Sequence, residues 1–329
     1  MSEPELHLND KISQGQRAAT RDGFGRGLIE AAKINETVIA ICADLTESLR
    51  LKDFEQNFPE RFVRIGVSEQ SLVAIGAGFA LGGKVPFVAS FAMFSPGRSW
   101  EQIRTNVCLN NTNVKIVGGH AGVSVGPDGA THQALEDIAI TRCLPNLTVV
   151  VPCDAEQARK ATLAAAEWPG PVYLRLSRQE EFNVTTEQTP FAIGRAQTFR
   201  TGNDVAIVAC GPQVLESLRA AENLERAGIS CQVINLHTIK PLDEEILLQA
   251  AKKCGALVTV EDHQVCGGLG SAVAELLAKH IPTPIEFIGA QDRFGQSGEV
   301  NELLKEYGLT SDHIENAVRR TLKRKTEKI

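Results

Sequence analysis

Short β-branched runs alternate with segments of helical spacing along almost the whole chain. The first half contains apolar runs such as VIAIC, VPFVASF and VKIVGG, and the second half contains DVAIVAC and SCQVINL. Helical patterns lie between them, for example over residues 68–82, 98–109, 154–167 and 213–227. Because parallel strands need long crossover connections, the alternation predicts an α/β protein with two doubly wound domains. Each domain is expected to be a mostly parallel sheet with helices on both faces.

One segment interrupts the alternation. Residues 179–194 (QEEFNVTTEQTPFAIG) are polar, contain a proline and lack a periodic apolar face, which is typical of a connection between domains. We therefore predict an N-terminal arm (1–17), a first domain (18–180), a linker (181–194) and a second domain (195–329).

The composition narrows the classes of partner. The chain has 329 residues, of which 22% are charged, and a formal net charge of −6, so we expect no nucleic-acid partner. No apolar signal segment begins the sequence and no run reaches about 18 apolar residues, so we expect a cytoplasmic protein with no membrane partner. Eight cysteines form no C-x-x-C pair, which indicates mostly buried thiols and no metal site.

The pentapeptide GVSEQ (66–70) precedes an almost entirely apolar helical pattern. Ser68 is expected to cap this helix, which places Glu69 on its first turn. Burial raises the pKa of such a carboxyl group, whereas the helix N-terminus lowers it. Taken alone, the pentapeptide favours a glutamate that only stabilises the helix, and a catalytic carboxyl group is the alternative.

Two other segments carry candidate chemistry. Residues 118–133 (GGHAGVSVGPDGATHQ) hold five glycines, an aspartate and two histidines, and so long a loop inside a compact domain is typical of a functional segment. Phe91 and Phe94 follow a predicted strand at a spacing that places both rings on one side of a bend. Core packing is their default role, and a flat slot for a heteroaromatic ring is the sharper alternative.

Four polar residues outside the apolar runs could bind an anion: Arg21, Ser48, His120 and Arg178. Arg178 follows a predicted strand, where ligand groups gather in open parallel sheets. The planar fork of arginine suits phosphate because it donates two parallel hydrogen bonds. Each residue alone is typical of a solvated surface, and their spacing does not show that they converge.

Together these segments resemble the transketolase family over nearly the whole chain. DGATHQ after GVSEQ separates the chain from the β subunits of 2-oxoacid dehydrogenases, which share the architecture. TIKPLDEE and VEDH also occur in deoxyxylulose phosphate synthase. The resemblance implies a pyrimidine-binding domain followed by a C-terminal domain. It rests on ATR (19–21), ADLTES (43–48), RFVRIGVSEQ (61–70), FAMF (91–94), DGATHQALED (128–137), LSRQ (176–179) and VEDHQVCGGLGSAVAE (260–275).

The resemblance also implies a cofactor and a partner. The family binds thiamine diphosphate, and its other domain holds the diphosphate through a Gly-Asp-Gly motif, which this sequence lacks. The implied protein is the C-terminal subunit of a split transketolase. An N-terminal diphosphate-binding subunit would carry a Mg²⁺ or Ca²⁺ ion, and self-association through the pyrimidine-binding domain would give a heterotetramer. Gly97 departs from the family, because some members have a third aromatic residue there.

The implied reaction transfers a two-carbon ketol unit from a ketose phosphate to an aldose phosphate, as in the pentose phosphate pathway. Glu69 would hydrogen-bond the aminopyrimidine ring, and the histidine and aspartate of the glycine-rich loop would contact donor hydroxyls. The basic and hydroxyl residues would hold the terminal phosphate. The implied assignments are Glu69 and His132 for catalysis, Asp44, Glu69, Phe91 and Phe94 for the cofactor, and Arg21, Ser48, His120, Asp128, His132 and Arg178 for the substrate.

Three alternatives stay open. The chain could belong to another thiamine diphosphate enzyme, either a deoxyxylulose phosphate synthase or a 2-oxoacid dehydrogenase component. It could be a transketolase for an unusual sugar phosphate. It could also be a non-catalytic binding or regulatory subunit, although Glu69, Asp128 and His132 argue against a degenerate site.

Overall fold

The α/β architecture is confirmed by a computed structural model, which describes residues 6–9 and 15–327. Two parallel-rich sheets dominate it, and each is flanked by helices. Part of the predicted N-terminal arm and the last two residues of the predicted second domain lie outside the described residues.

Eight strands and six helices form the N-terminal half. The strands are β1 (Arg17–Ala18), β2 (Val38–Cys42), β3 (Phe62–Arg64), β4 (Val85–Phe91), β5 (Lys115–Gly119), β6 (Thr148–Val150), β7 (Val172–Arg175) and β8 (Glu181–Phe182). The helices are α1 (Thr20–Ile34), α2 (Lys52–Asn57), α3 (Glu69–Leu81), α4 (Trp100–Gln102), α5 (Asp137–Arg142) and α6 (Ala155–Glu167). Irregular helical turns complete it at Pro59–Arg61, Ile103–Leu109 and Val123–Asp128.

The C-terminal half continues the pattern. Its strands are β9 (Gln197–Arg200), β10 (Val205–Ala209), β11 (Cys231–Asn235), β12 (Thr238–Lys240), β13 (Leu257–Gln264) and β14 (Ile285–Ala290). Its helices are α7 (Gln213–Arg226), α8 (Glu244–Cys254), α9 (Leu269–His280), α10 (Val300–Glu306) and α11 (Ser311–Thr326).

The first sheet has seven strands in the order β12-β6-β7-β5-β4-β2-β3, and all its neighbours are parallel except β12 with β6. The antiparallel edge strand β12 comes from the C-terminal half, so the two halves share this sheet. The second sheet has the order β14-β13-β10-β11-β9, and only β9 is antiparallel to its neighbour. Fully buried strands such as β2 and β10 explain the continuous apolar runs in the sequence.

Close packing of two helices sets the position of the α1 N-terminus. A Cβ atom on Gly23 would overlap the carbonyl oxygen of Ala155, and one on Gly27 would overlap that of Arg159. Only glycine therefore lets α1 approach α6 this closely. The contact places Arg21, on the first turn of α1, beside the ends of the central strands.

The described part of the arm lies along the connection between the two halves. Strand β1 pairs antiparallel with β8. The side-chain amide of Asn9 donates to the carbonyl oxygen of Asn183 at 2.6 Å, and the Asn9 N–H donates to that of Val184 at 2.9 Å. These hydrogen bonds hold the described part of the arm against the polar connecting segment, which has little regular structure of its own.

Two local predictions differ from the structure. The helix expected over 98–109 is a single α turn followed by a π-helix at Ile103–Leu109, in which the Thr105 hydroxyl donates to the Glu101 carbonyl oxygen at 2.9 Å. The expected capping bond from Ser68 is absent, because its hydroxyl contacts that of Ser71 at 2.7 Å instead. Cysteine burial also has two exceptions, since Cys143 and Cys266 are exposed.

A buried ion pair of the N-terminal half lies where that half meets the second sheet. The Arg175 guanidinium, at the end of β7, donates from Nε to Oδ2 of Asp137 at 2.7 Å. The Tyr173 hydroxyl donates to the same oxygen at 2.6 Å. Arg175 also donates to the backbone carbonyl oxygen of Asp262 in the second sheet, at 2.7 Å. All four of these polar groups are shielded from solvent, so the contact is rigid and directional.

Candidate functional site

The candidate residues gather at the carboxyl edge of the first sheet. Their side chains lie at or after the ends of β2, β3, β4, β5 and β7, which are consecutive neighbours in the sheet with β3 at its edge. Open parallel sheets bind ligands at this edge because the connecting loops converge there. The arginine on the first turn of α1 faces the same edge, as its contacts with the loops after β2 and β5 show.

Glu69 is a buried carboxylate at the start of α3, with 3% of its side chain exposed. One guanidinium nitrogen of Arg98 donates to Oε2 of Glu69 at 2.8 Å. The Arg98 guanidinium also lies over the Phe94 ring, 5.0 Å from its centroid, and 53% of its side chain is exposed. Arg98 therefore links the carboxylate to the Phe94 ring, and this half-exposed cation is the only hydrogen-bond partner described for Glu69.

Phe91 and Phe94 form a stacked pair with ring centroids 6.4 Å apart and planes 21° from parallel. His132 meets both rings edge-on, at 6.3 Å from Phe91 and 5.3 Å from Phe94. The His120 ring packs on Phe91 at 3.9 Å. The two phenylalanines, predicted either to pack in the core or to form a slot for a flat ring, thus contact both histidines of the glycine-rich loop. Phe94 is only half-buried.

Arg21 and His120 make a buried polar pair next to the rings. A guanidinium nitrogen of Arg21 lies 3.1 Å from Nε2 of His120 and 3.1 Å from the Ser48 carbonyl oxygen. Ser48 thus contributes its backbone here, whereas the sequence suggested its hydroxyl. Because arginine only donates, Nε2 of His120 accepts, which leaves the proton of a neutral ring on Nδ1. Within the described residues, both His120 Nδ1 and Arg21 Nε are buried without an acceptor.

Burial and positive charge keep His120 neutral. Burial is the larger cause and Arg21 the next, with further contributions from Arg178 and Arg50, and together they lower the pKa of His120 to about 3. Burial also lowers the pKa of Arg21, and the neighbouring charge of Arg50 adds to this. The carboxylates of Asp22 and Glu180 partly offset the positive charge on Arg21. The unused donors at Arg21 Nε and His120 Nδ1 nevertheless make the cluster suited to a bound anion.

Arg178 joins this cluster through the glycine-rich loop. Its guanidinium donates to the Val125 carbonyl oxygen at 2.7 Å, which orients one edge of the group. Val125 belongs to the short helical turn Val123–Asp128, whose last residue, Asp128, is exposed. The structure therefore places Arg21, His120 and Arg178 together, while Asp128 lies at the loop surface.

Asp44 has no described hydrogen bond to the other predicted cofactor residues. It is exposed, has a positive φ of 62°, and borders a polar cavity of about 380 Å³ together with Ser48 and Arg64. No described hydrogen bond links Asp44 to Glu69 or to the aromatic pair. Its role toward a cofactor stays a prediction.

Sequence reasoning missed Arg98 and Arg50. Arg98 follows Gly97, the position where an aromatic residue is absent, and a cation close in sequence to Phe91 and Phe94 was the available signal. Arg50 donates to Asp22 at 2.6 Å, and the same carboxylate accepts from the Ala19 N–H at the start of α1. No sequence signal connects Arg50 to that turn, because the contact is tertiary.

The described residues contain neither a candidate metal-ligand group nor a candidate membrane-spanning helix. Within residues 6–9 and 15–327, no three histidine, cysteine or carboxylate side chains are grouped as metal ligands. No helix of this part of the chain combines the length and apolar character needed to cross a membrane.

Comparisons with known proteins agree with this geometry. The family description "Transketolase, pyrimidine binding domain" matches residues 16–181, and "Transketolase, C-terminal domain" matches residues 194–314. The putative transketolase C-terminal section of Methanocaldococcus jannaschii is 43% identical over 307 residues, which are 92% of this chain and 96% of that protein. The chain belongs to the transketolase family. The expected relationship is therefore confirmed, and the chain corresponds to the pyrimidine-binding and C-terminal domains of transketolase.

Two further relatives refine the comparison. The 6-deoxy-6-sulfo-D-fructose transketolase subunit SqwH of Clostridium sp. is 39% identical over 93% of this chain and 95% of that protein. A solved structure described as "Split gene transketolase, inactive beta4 tetramer" superposes with a TM-score of 0.88 at 42% identity, over 93% of this chain and 99% of that one. Transketolases in general depend on thiamine diphosphate.

Proposed function

We propose that this chain is the C-terminal subunit of a thiamine diphosphate-dependent transketolase. With an N-terminal diphosphate-binding subunit it transfers a two-carbon ketol unit from a ketose phosphate to an aldose phosphate, as in the pentose phosphate pathway. One observation carries the proposal: a buried carboxylate, Glu69, is linked through Arg98 to the aromatic pair, on the same sheet edge as the Arg21–His120 pair, whose Nε and Nδ1 atoms have no acceptor among the described residues.

The residues around Glu69 fit an aminopyrimidine ring. Phe91 and Phe94 offer apolar faces to a flat ring, and Glu69 offers an acceptor at the edge of the pair. When bound, thiamine diphosphate supplies the carbon nucleophile that attacks the donor carbonyl group. Glu69 holds and releases a proton at the ring nitrogen, which requires a carboxyl group sheltered from water. The apolar helix α3 and the rings provide that shelter.

The substrate's two ends face different groups. His132 lies edge-on to both rings, so it can hydrogen-bond a donor hydroxyl near the bond that breaks, and Asp128 is assigned to the same end. Arg21, His120 and Arg178 bind the terminal phosphate at the other end. Buried donors without an acceptor are costly, and Arg21 Nε and His120 Nδ1 are such donors among the described residues. A phosphate dianion would accept charge-assisted hydrogen bonds from this cluster. Binding energy at the phosphate orients the reacting carbons.

The need for a partner rests on two observations. The sequence contains no Gly-Asp-Gly motif, so the diphosphate and its Mg²⁺ or Ca²⁺ ion are assigned to the partner subunit. Helix α3 also leaves apolar groups uncovered, since Ile75 is 37% and Leu81 76% exposed. A second copy of this chain covers that face in the proposed heterotetramer. The similar split-gene protein is described as an inactive tetramer when only its β subunit is present, which supports both points.

A second substrate class has specific support. The Clostridium relative acts on 6-deoxy-6-sulfo-D-fructose, whose terminal group is a sulfonate. A sulfonate is also a tetrahedral oxyanion, and the cluster around His120 offers donors to either group. Activity assays of the assembled enzyme should therefore include a sulfonated ketose beside the ketose phosphate.

The isolated chain should show no two-carbon transfer, because it lacks the diphosphate-binding motif. Purified chain, thiamine diphosphate and Mg²⁺ are assayed with a ketose phosphate and an aldose phosphate, with and without the separately made N-terminal subunit. Activity is expected only in the mixture, and robust turnover by the chain alone would overturn the proposal.

Sedimentation of the active mixture should give two copies of each subunit, and a one-to-one species at working concentration would contradict the heterotetramer.

Glu69→Gln should lower kcat of the assembled enzyme by about a hundredfold or more, because an amide of the same shape cannot exchange the proton. Glu101→Gln, at an exposed carboxylate of α4, is the matched control and should stay near wild type. Both variants are checked for unchanged thermal unfolding. Near-normal turnover of the Glu69 variant would reduce that residue to a stabiliser of α3.

Arg98→Ala should tighten thiamine diphosphate binding to the assembled enzyme, because the pyrimidine ring and Arg98 compete for Glu69. A half-exposed ion pair is worth about 0.5–1 kcal/mol, so the dissociation constant should fall about two- to fivefold. Titration calorimetry measures it, with Arg226→Ala, an exposed arginine of α7 paired with Glu222, as control. Weaker binding of thiamine diphosphate would instead indicate that Arg98 contributes to the pyrimidine-binding slot.

Arg178→Ala should impair phosphorylated donors far more than their dephosphorylated analogues. Losing one charged hydrogen-bonding group costs about 2–3 kcal/mol of transition-state binding, or roughly thirty- to over a hundredfold in kcat/KM. The measurement compares kcat/KM for a ketose phosphate and the free ketose, with Arg17→Ala as an exposed control in the same domain. An equal fall for both substrates would make Arg178 a purely structural residue.

A further inference from the structure

Asp262 reaches from the C-terminal half into the glycine-rich loop of the first domain. It lies near the end of β13, and only 6% of it is exposed. Its Oδ1 accepts from the Val123 N–H at 2.9 Å, and Ser124 also hydrogen-bonds the carboxylate. Val123 begins the turn Val123–Asp128, so the carboxylate anchors the turn at its first residues.

The loop backbone is shaped to receive this carboxylate. Gly122 has a φ of 83°, and a Cβ atom there would overlap the carboxylate of Asp262. Only glycine provides both the positive φ and the space. The far end of the loop is held by the same half of the chain, because Gln133 donates to the Gln296 carbonyl oxygen at 3.0 Å and to that of Val123 at 3.2 Å.

The anchored turn carries substrate-binding groups. The Val125 carbonyl oxygen, two residues after the Asp262 contact, accepts from the Arg178 guanidinium at 2.7 Å. The turn ends at Asp128, and the loop continues to His132 beside the aromatic pair. The Asp262 carboxylate thus holds the first residues of the backbone segment that orients Arg178 and leads to Asp128 and His132.

We propose that Asp262 is a positioning residue through which the C-terminal domain sets the geometry of the phosphate end of the substrate site. The inference rests on the proposed transketolase function for its kinetic consequence, but not for its structural one. Asp262 acts as an acceptor of backbone N–H groups, so an asparagine, which keeps one carbonyl oxygen, should largely replace it.

The neighbouring residue provides a matched control. Glu261 is also buried, but its two oxygens accept from the Leu269 and Gly270 N–H groups at 2.7 and 2.8 Å, at the start of α9 in its own half. Glu261→Gln therefore perturbs a buried carboxylate of the same strand without touching the loop. Any effect shared by both positions reflects stability of the C-terminal half, and an effect confined to Asp262 reflects the loop.

The experiment compares Asp262→Ala, Asp262→Asn and Glu261→Gln in the assembled enzyme. Hydrogen–deuterium exchange over residues 122–133 measures the protection of the loop backbone independently of activity. The ratio of kcat/KM for a ketose phosphate to that for the free ketose measures phosphate recognition. If the alanine variant does not fold, Asp262→Ser, whose shorter side chain leaves the carboxylate position empty, takes its place.

For Asp262→Ala we expect exchange at the start of the loop to rise tenfold or more. kcat/KM should fall about tenfold for the ketose phosphate, mainly through KM, and less than threefold for the free ketose. Asp262→Asn should stay within about threefold of wild type, and Glu261→Gln should leave both the exchange and the substrate ratio unchanged.

Unchanged exchange in Asp262→Ala, an asparagine variant as impaired as alanine, or an equal fall for both substrates would each overturn the positioning role. If the wild-type mixture itself shows no transfer, the proposed function fails. The exchange comparison then still decides whether Asp262 holds the loop.

Discussion

The guanidinium of Arg175 and the carboxylate of Asp137 meet inside the joint between the two sheets, 2.7 Å apart. Burial alone would raise the pKa of Asp137, but the charge and hydrogen bonds of Arg175 outweigh it, and the net pKa is lowered. The pair therefore stabilises the folded state above the ordinary aspartate pKa and loses that contribution as the pH falls through the lower folded value. Removing one partner would strand a buried charge, at a cost of about 3–5 kcal/mol.

The position of this pair explains how the joint reaches the candidate site. Arg175 ends β7, three residues before Arg178, and it also donates to the carbonyl oxygen of Ala134 at 3.3 Å, just after the glycine-rich loop. The C-terminal border of the glycine-rich loop is thus tied to this buried guanidinium. The C-terminal half approaches from the other side through its backbone at Asp262, so strand, loop and second sheet share one polar centre. Such a network specifies a single arrangement because each of its members would be costly to leave unpaired.

The sheet and the edge where the candidate site lies could be predicted from sequence, because continuous β-branched runs such as VIAIC between helical segments are typical of buried parallel strands and ligand groups follow their ends. The contact between Arg21 and His120 could not be predicted from sequence, because it depends on how closely α1 packs on α6. Strand β12 was also beyond prediction, because three residues carry no signal of the sheet they join. Ser68 failed as a cap for a similar reason: a neighbouring hydroxyl offered its side chain another partner.

Discrimination among anionic substrates follows from the same electrostatics. With a pKa lowered to about 3, His120 stays neutral at physiological pH, so the positive charge of the cluster comes from its arginines and does not vary with the ionisation of the imidazole. A phosphate monoester carries between one and two negative charges near neutral pH, whereas a sulfonate carries one. Fixed arginine charges attract both, and the dianion more strongly. In the proposed function, strict selection of one class would therefore depend on the length of the substrate between Arg178 and His132 and on the loop anchored by Asp262, and not on the charge of the cluster alone.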